Sequence, residues 1–301
     1  MANAEPLPLT EQPASGFVRR TAEALLRDTA NARDALVRAL RRHDARPSVR
    51  RALRVERTVH AYRVAERKLR TWVELVSAFG EVRALRDALA PWRSIARRAG
   101  LVRDFQIVRA WYARARGTAA RTVAATLARD ADEANAALRR AAGRARKAEA
   151  RGRAALRRVQ RSIPPESAAA FLSRALLERR LVASDALARW HASGDLRQAH
   201  GARLALKRLR YLLEAVAGRG RGASTTIARL RRAQAVLGAM HDAAACAAAA
   251  PLDTDDASTA LRQRADRALS RHIRTADSLR DGSELAPAFA AVERLAGRLA
   301  R

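Results

Sequence analysis

From Gly16 onward, apolar residues recur three and four positions apart, the spacing of a helix with one buried face. The pattern predicts helices over 17–43, 48–79, 81–98, 101–116 and 118–161, then over 165–192, 195–217, 224–247, 255–280 and 284–300. The breaks fall at His43-Asp44-Ala45-Arg46-Pro47, Gly80, Gly100 and Gly117, and Pro91 interrupts the third segment. Segment 118–161 carries Gly143 and Gly152 and reads as one extended helix or two. The strongest boundary is Ser162-Ile163-Pro164-Pro165-Glu166, because proline suits the first turn of a helix and glutamate favours its N-terminal dipole. In the second half, Gly218–Gly222 separates two helices and leaves Arg219 and Arg221 exposed, with Ser224 as N-cap. Asp253 to Asp256 similarly precedes a helix. Residues 1–15 hold three prolines and read as a disordered tail. The expected fold is all-α, with an N-terminal helical bundle over 16–162 and a C-terminal one over 163–301.

Composition agrees with helices. Hydrophobic residues make up 49% of the 301 positions and aromatics only 4%, so alanine and leucine supply most of the core. Charge adds something else: 60 basic against 30 acidic residues give a net +30, which attracts polyanions. Only Lys68, Lys147 and Lys207 are lysines. A GC-rich genome accounts for arginine in place of lysine; it does not account for the excess of cations over carboxylates. Cys246 is the only cysteine, which excludes an intrachain disulfide, and in its alanine run it reads as a small buried hydrophobe. No apolar run approaches membrane-spanning length and the first residues do not resemble a signal peptide, so a soluble cytoplasmic protein is expected.

One feature narrows the function. His60-Ala61-Tyr62-Arg63-Val64-Ala65-Glu66-Arg67-Lys68-Leu69-Arg70 recurs 140 positions later as His200-Gly201-Ala202-Arg203-Leu204-Ala205-Leu206-Lys207-Arg208-Leu209-Arg210, and Glu74 and Glu214 follow at the same offset. On a helix, Arg63, Arg67, Arg70 and Glu74 fall within roughly 80° of His60, in a row ~15 Å long with a cation every ~5 Å. Tyr62, Ala65, Leu69, Trp72 and Val76 lie opposite, as do Ala202, Ala205, Leu209, Leu212 and Val216 in the second copy. Each basic row therefore points out of its own bundle. Glu74 and Glu214 sit four residues after Arg70 and Arg210 and are expected to hold those guanidiniums. Lys68 and Arg208 flank the rows, Arg57 and Arg197 extend them by one turn, and Tyr211 lies just beyond. A solvated charged face is the alternative to a binding site. Such faces usually mix signs, and duplication of a self-repelling row favours a site. His60 and His200 lack metal-ligand spacing; each reads equally as a donor to phosphate or as a cap on a core contact. Ala99-Gly100-Leu101-Val102-Arg103-Asp104 weakly matches Leu237-Gly238-Ala239-Met240-His241-Asp242, read as two helix junctions with a locally paired aspartate.

These residues resemble the CHAD family, the conserved histidine α-helical domain. Its pattern, His-x-x-Arg-hydrophobic-x-x-Arg/Lys-Arg/Lys-hydrophobic-Arg, stands twice here, and the Arg103-Asp104 and Leu237-Gly238…Asp242 segments fit its later motifs. Glu66 departs from the pattern where an apolar residue is usual, and His241 replaces an arginine. The resemblance implies two pseudo-symmetric antiparallel bundles with a basic groove or channel between them. It further implies binding of inorganic polyphosphate by His60, Arg63, Arg67, Lys68, Arg70, His200, Arg203, Lys207, Arg208 and Arg210, with Arg57, Arg197, Arg103 and Tyr211 in support. Association with polyphosphate granules and their proteins in bacteria follows from it as well. The Glu-x-Glu-x-Lys signature of the CYTH triphosphatase domain that often accompanies the family is absent from the sequence.

Two other functions compete. The charge permits nucleic-acid binding, but no zinc-finger spacing or aromatic stacking series accompanies it. An enzyme acting on polyphosphate or triphosphate would want grouped carboxylates to hold a divalent metal, and the acidic residues here are scattered. A non-enzymatic protein without cofactor is expected.

Overall fold

The computed structural model describes residues 8–46, 48–76, 83–115, 117–216, 223–251 and 255–301. Among these, helices carry the fold and no strand occurs; the one β-type contact is a bridge between Pro13 and Ser167. The helices are α1 (Ala14–Ala45), α2 (Val49–Val76), α3 (Arg83–Ala88), α4 (Ala90–Arg114), α5 (Thr118–Arg144), α6 (Ala148–Val159), α7 (Ala168–Ser193), α8 (Leu196–Val216), α9 (Ala223–Ala248), α10 (Asp256–Asp277) and α11 (Ala286–Ala300). None of them is long and apolar enough to cross a membrane.

Several expected boundaries move, each for a local reason. Gly100 does not break the chain: α4 runs through it, because Ile95, Ala99 and Val102 are buried on one face. That packing outweighs the roughly 1 kcal/mol a mid-helix glycine costs. Pro91 starts α4 instead of interrupting it. Segment 118–161 is two helices, joined by a 3₁₀ turn at Ala145–Lys147. Gly152 lies in α6 where a Cβ would come within 3.1 Å of Leu26 and Leu89. Helix α7 begins at Ala168 with Ser167 as N-cap, its hydroxyl accepting from the Ala170 amide, so Pro165 and Glu166 lie outside the first turn. Glu166 pairs with Arg174 instead. Ser224 is inside α9, not its cap, whereas Asp255 caps α10 by accepting from the Ser258 amide. The loop at 218–222, with Arg219 and Arg221, lies outside the described residues, as do Gly80 and Asp253.

The part of the expected 1–15 tail that is described, from Pro8, is tied down. The Ala168 and Ala169 amides donate to the carbonyls of Gln12 and Leu9, the Ala14 amide donates to Glu166, and Leu9 is buried. This segment satisfies amides that the start of α7 would otherwise leave unpaired.

The packing places the repeated helices together. In the first half α1 lies on α2, α2 on α4 and α4 on α5; in the second, α7 on α8, α8 on α9 and α9 on α10. Contacts between halves join α1 to α7, α2 to α8, α4 to α9 and α5 to α10. One continuous apolar core draws on both halves, with Trp72, Trp92, Tyr62 and Phe171 among its fully buried side chains. A smaller cluster joins Val108 and Tyr112 of α4 to Cys246 of α9 and Leu261 of α10, and the Tyr112 hydroxyl donates to the Cys246 carbonyl.

Candidate functional site

Helices α2 and α8 expose the repeated rows because their other faces are core. Tyr62, Leu69, Trp72 and Val76 are buried, as are Ala202, Ala205, Leu209, Leu212 and Val216; Ala65 is half-buried. Since α2 touches α8 and α4 touches α9, a row that points out of its own half points at the other half. The centre of the site is a cluster of His60, Arg63 and Arg67 from α2 with His200, Arg203 and Lys207 from α8. Arg103 and Asp104 of α4 and His241 and Asp242 of α9 complete it. The mutual fields record the convergence. Burial first, then Arg203, Arg67, Arg63 and Arg210, bring the Lys207 ammonium down to about 6. Burial, with Arg67, Arg103 and Arg203 against Asp104, brings Arg63 down to about 10. Burial also lowers Arg203, with Asp242 opposing and Arg67 adding. Burial and mutual repulsion oppose the charged forms of these groups, so the arginines carry their charge at a cost and Lys207 gives up its proton readily.

The histidines share this field. Burial, then His241, Arg203 and Lys207, lowers His200 to about 4, and burial lowers His60 and His241 as well, with neighbouring arginines adding to it. The rings of His200 and His241 lie 4.9 Å apart. Nδ1 of His200 and Nε of Arg203 are buried without a hydrogen-bond partner. The Arg203 guanidinium lies over Gly238, where a Cβ would be 3.3 Å from it. Gly238 and Gly100 are both mid-helix, so the expected pair of helix junctions is corrected. What the two segments contribute is Asp104 facing Arg63 and Asp242 facing Arg203. Burial raises the Asp104 carboxyl even against Arg63 and His241.

The ends of the rows do something else. Lys68 of α2 pairs with Glu214 of α8 at 2.9 Å, and Arg208 of α8 pairs with Glu74 of α2 at 2.9 Å. The two bonds are the same contact made in both directions. Lys68 and Arg208, expected to face a ligand, thus clasp the halves, and Glu74, expected on Arg70, reaches across to Arg208. Glu214 does hold Arg210, at 2.5 Å, and holds Arg231 at 3.0 Å as well. Burial would raise the Glu214 carboxyl, but hydrogen bonds from Lys68 and Arg231 and the charge of Arg210 outweigh it and leave it below the usual range. Arg210 also donates to Gln234 at 2.9 Å and stacks 4.5 Å over the ring of Tyr211, which is buried beneath it. Replacing Glu74 and Glu214 together by glutamine is expected to lower stability by about 2 kcal/mol, the sum of a few half-exposed pairs. That would read as a fall in Tm of a few degrees at low salt, shrinking as salt is added. An unchanged Tm at low salt would remove the clasp from the account.

The second-tier residues are dispersed. Arg57 is exposed, Arg197 is exposed with Asp195 3.8 Å away, and Arg103 pairs with Glu56 at 2.5 Å while adding to the field on His60. Arg231 and Gln234 escaped the motif reading; Asp104 and Asp242, expected as locally paired aspartates of helix junctions, act on Arg63 and Arg203 of the rows instead. Among the described residues no group of three or more His, Cys, Asp or Glu could hold a metal ion.

Comparison with known proteins adds the following. The model of the CHAD domain matches residues 31–251. The crystal structure of the CHAD domain from the plant Ricinus communis superposes with a TM-score of 0.67 at 18% identity, covering 99% of this chain and 96% of that one. No curated protein matches the sequence.

Proposed function

This chain belongs to the CHAD-domain family, and we propose that it binds inorganic polyphosphate without altering it chemically. The observation that carries this reading is the central cluster, where burial, and then the fields of the two basic rows across the α2–α8 contact, depress the proton affinity of Lys207, Arg63 and Arg203. A linear polyanion laid between the rows relieves that repulsion and supplies acceptors for arginine forks. The reading takes the halves as pseudo-symmetric bundles, 16–162 and 163–301, with the cluster lining a basic groove between them; the contact of each helix with its counterpart supports it. In a cell, such a protein would sit at polyphosphate granules in the cytoplasm and meet the proteins gathered there.

Nucleic acid is the competing polyanion. The aromatics near the rows favour polyphosphate, because Trp72 is buried against Phe17 and Tyr211 is covered by Arg210. Neither offers a face on which a base could stack. The test is a calorimetric titration with polyphosphate of defined lengths at several salt concentrations, with DNA as competitor. If about six phosphates are neutralised, log Kd should rise against log salt with a slope of about 4. DNA at equal phosphate concentration should displace little of the ligand. Displacement by DNA would favour the nucleic-acid reading, and phosphate release with Mg²⁺ or Mn²⁺ would make the protein an enzyme.

A further inference from the structure

Beside the central cluster, between α2 and α4, lies a cavity of about 480 Å³ lined by Arg63, Glu66, Arg67, Arg70, Ala90, Arg93, Ala96 and Arg97. Five guanidiniums surround one carboxyl in it. Glu66 is only 3% exposed, and no described residue forms a hydrogen bond or ion pair with it. Burial, the larger influence, raises its carboxyl against the pull of Arg70, Arg67 and Arg93. Arg93 uses one nitrogen on the Arg86 carbonyl and Arg97 is exposed, so both keep donors for a ligand.

The second half uses the equivalent positions differently. Leu206, fully buried, stands in place of Glu66, and Gln234 in place of Ala96. Arg210 is bound by Gln234 and Glu214, and Arg231, the counterpart of Arg93, is bound by Glu214. The arginines there are neutralised from within. In the first half the same arginines surround a cavity and a carboxyl.

We propose that the α2–α4 cavity is a separate binding site for a small phosphate anion, of orthophosphate or pyrophosphate size, with Arg67, Arg70, Arg93 and Arg97 donating to its oxygens. The site is one-sided and differs from the central cluster, with which it shares Arg63 and Arg67. Arginine forks match phosphate oxygens in pairs.

The test titrates the full chain with orthophosphate and, separately, with pyrophosphate, followed by calorimetry and ³¹P NMR. The wild-type chain should bind at least one of them saturably, and the tighter of the two gives the occupant. Arg93→Ser with Arg97→Ser should weaken that binding at least tenfold. Glu66→Leu, which installs the residue of the second half and leaves the four arginine donors in place, should retain that binding together with the helical CD signal. Arg203→Ser with Lys207→Ser, outside the cavity, should leave it within twofold and weaken long-chain polyphosphate. No saturable binding, or binding within twofold of wild type in the Arg93/Arg97 variant, overturns the proposal. So does loss in the Arg203/Lys207 variant with retention in the Arg93/Arg97 one, which would put the small anion in the central cluster. If Glu66→Leu does not fold, the arginine variant decides alone. A chain that binds pyrophosphate but not long polyphosphate would sink the polyphosphate reading and leave this site standing.

Discussion

Reversing Arg63, Arg67, Arg203 and Lys207 to glutamate together is expected to weaken polyphosphate binding at least about a thousandfold, a loss of roughly 4 kcal/mol, with the helical CD signal intact. The size follows from the contacts at stake: a charge-assisted hydrogen bond contributes about 1.5–3 kcal/mol, and four such centres change from attraction to repulsion. The fold should survive because the four side chains lie opposite the buried faces of α2 and α8. Those faces keep Tyr62, Leu69, Trp72, Leu209 and Leu212 in the core. The neutral version, with glutamine for the three arginines and methionine for Lys207, should also weaken binding but raise Tm, since it removes buried arginine charges that repel one another and a lysine whose protonation burial makes costly. A reversed variant that binds as tightly as wild type at physiological salt would end the assignment of the cluster as the site.

The second large effect is a pH dependence centred on Lys207. Its ammonium is held at about 6 by burial and by Arg203, Arg67, Arg63 and Arg210. A bound polyanion neutralises those arginines and brings the lysine back toward its ordinary value, so binding above pH 6 takes up a proton. Affinity should therefore rise as pH falls from 8 to 6, by up to about tenfold per unit for one linked proton. His200, at about 4, stays neutral throughout this range, and His60 and His241 are lowered too. Stability of the free protein runs the other way. Between about 6 and the ordinary lysine value the unfolded chain holds a proton that the folded chain lacks, so stability grows as pH rises through that window. Lys207→Met should flatten both curves. A binding curve that stays steep between pH 8 and 6.5 in that variant would assign the proton to another group.

Much of the architecture was legible in the chain, and where it was not, the cause lies in particular residues. The helices and the outward direction of the rows follow from spacing alone, and the buried Leu69, Trp72, Leu209 and Leu212 agree with it. Gly100 misled a boundary, because a glycine's small local cost is set against the burial of Ala99 and Val102, whereas the helix expected over 224–247 runs through Gly238 as α9 does. That burial is not visible locally. Lys68 and Arg208 look like their neighbours in the motif, and only the α2–α8 contact turns them onto Glu214 and Glu74. Glu66 was legible as an anomaly; its burial among arginines of a second helix was not.

The sequence by itself determined that this protein is helical, that its two halves repeat one basic row, and that each row lies opposite an apolar face. These are properties of a period of 3.6 residues, which depends on near neighbours only. The tertiary structure decided which cations meet one another and which meet carboxylates. Charge acts through space, so residues identical in the motif divide into a repelling cluster at the centre, a clasp at the ends and a cavity on one side.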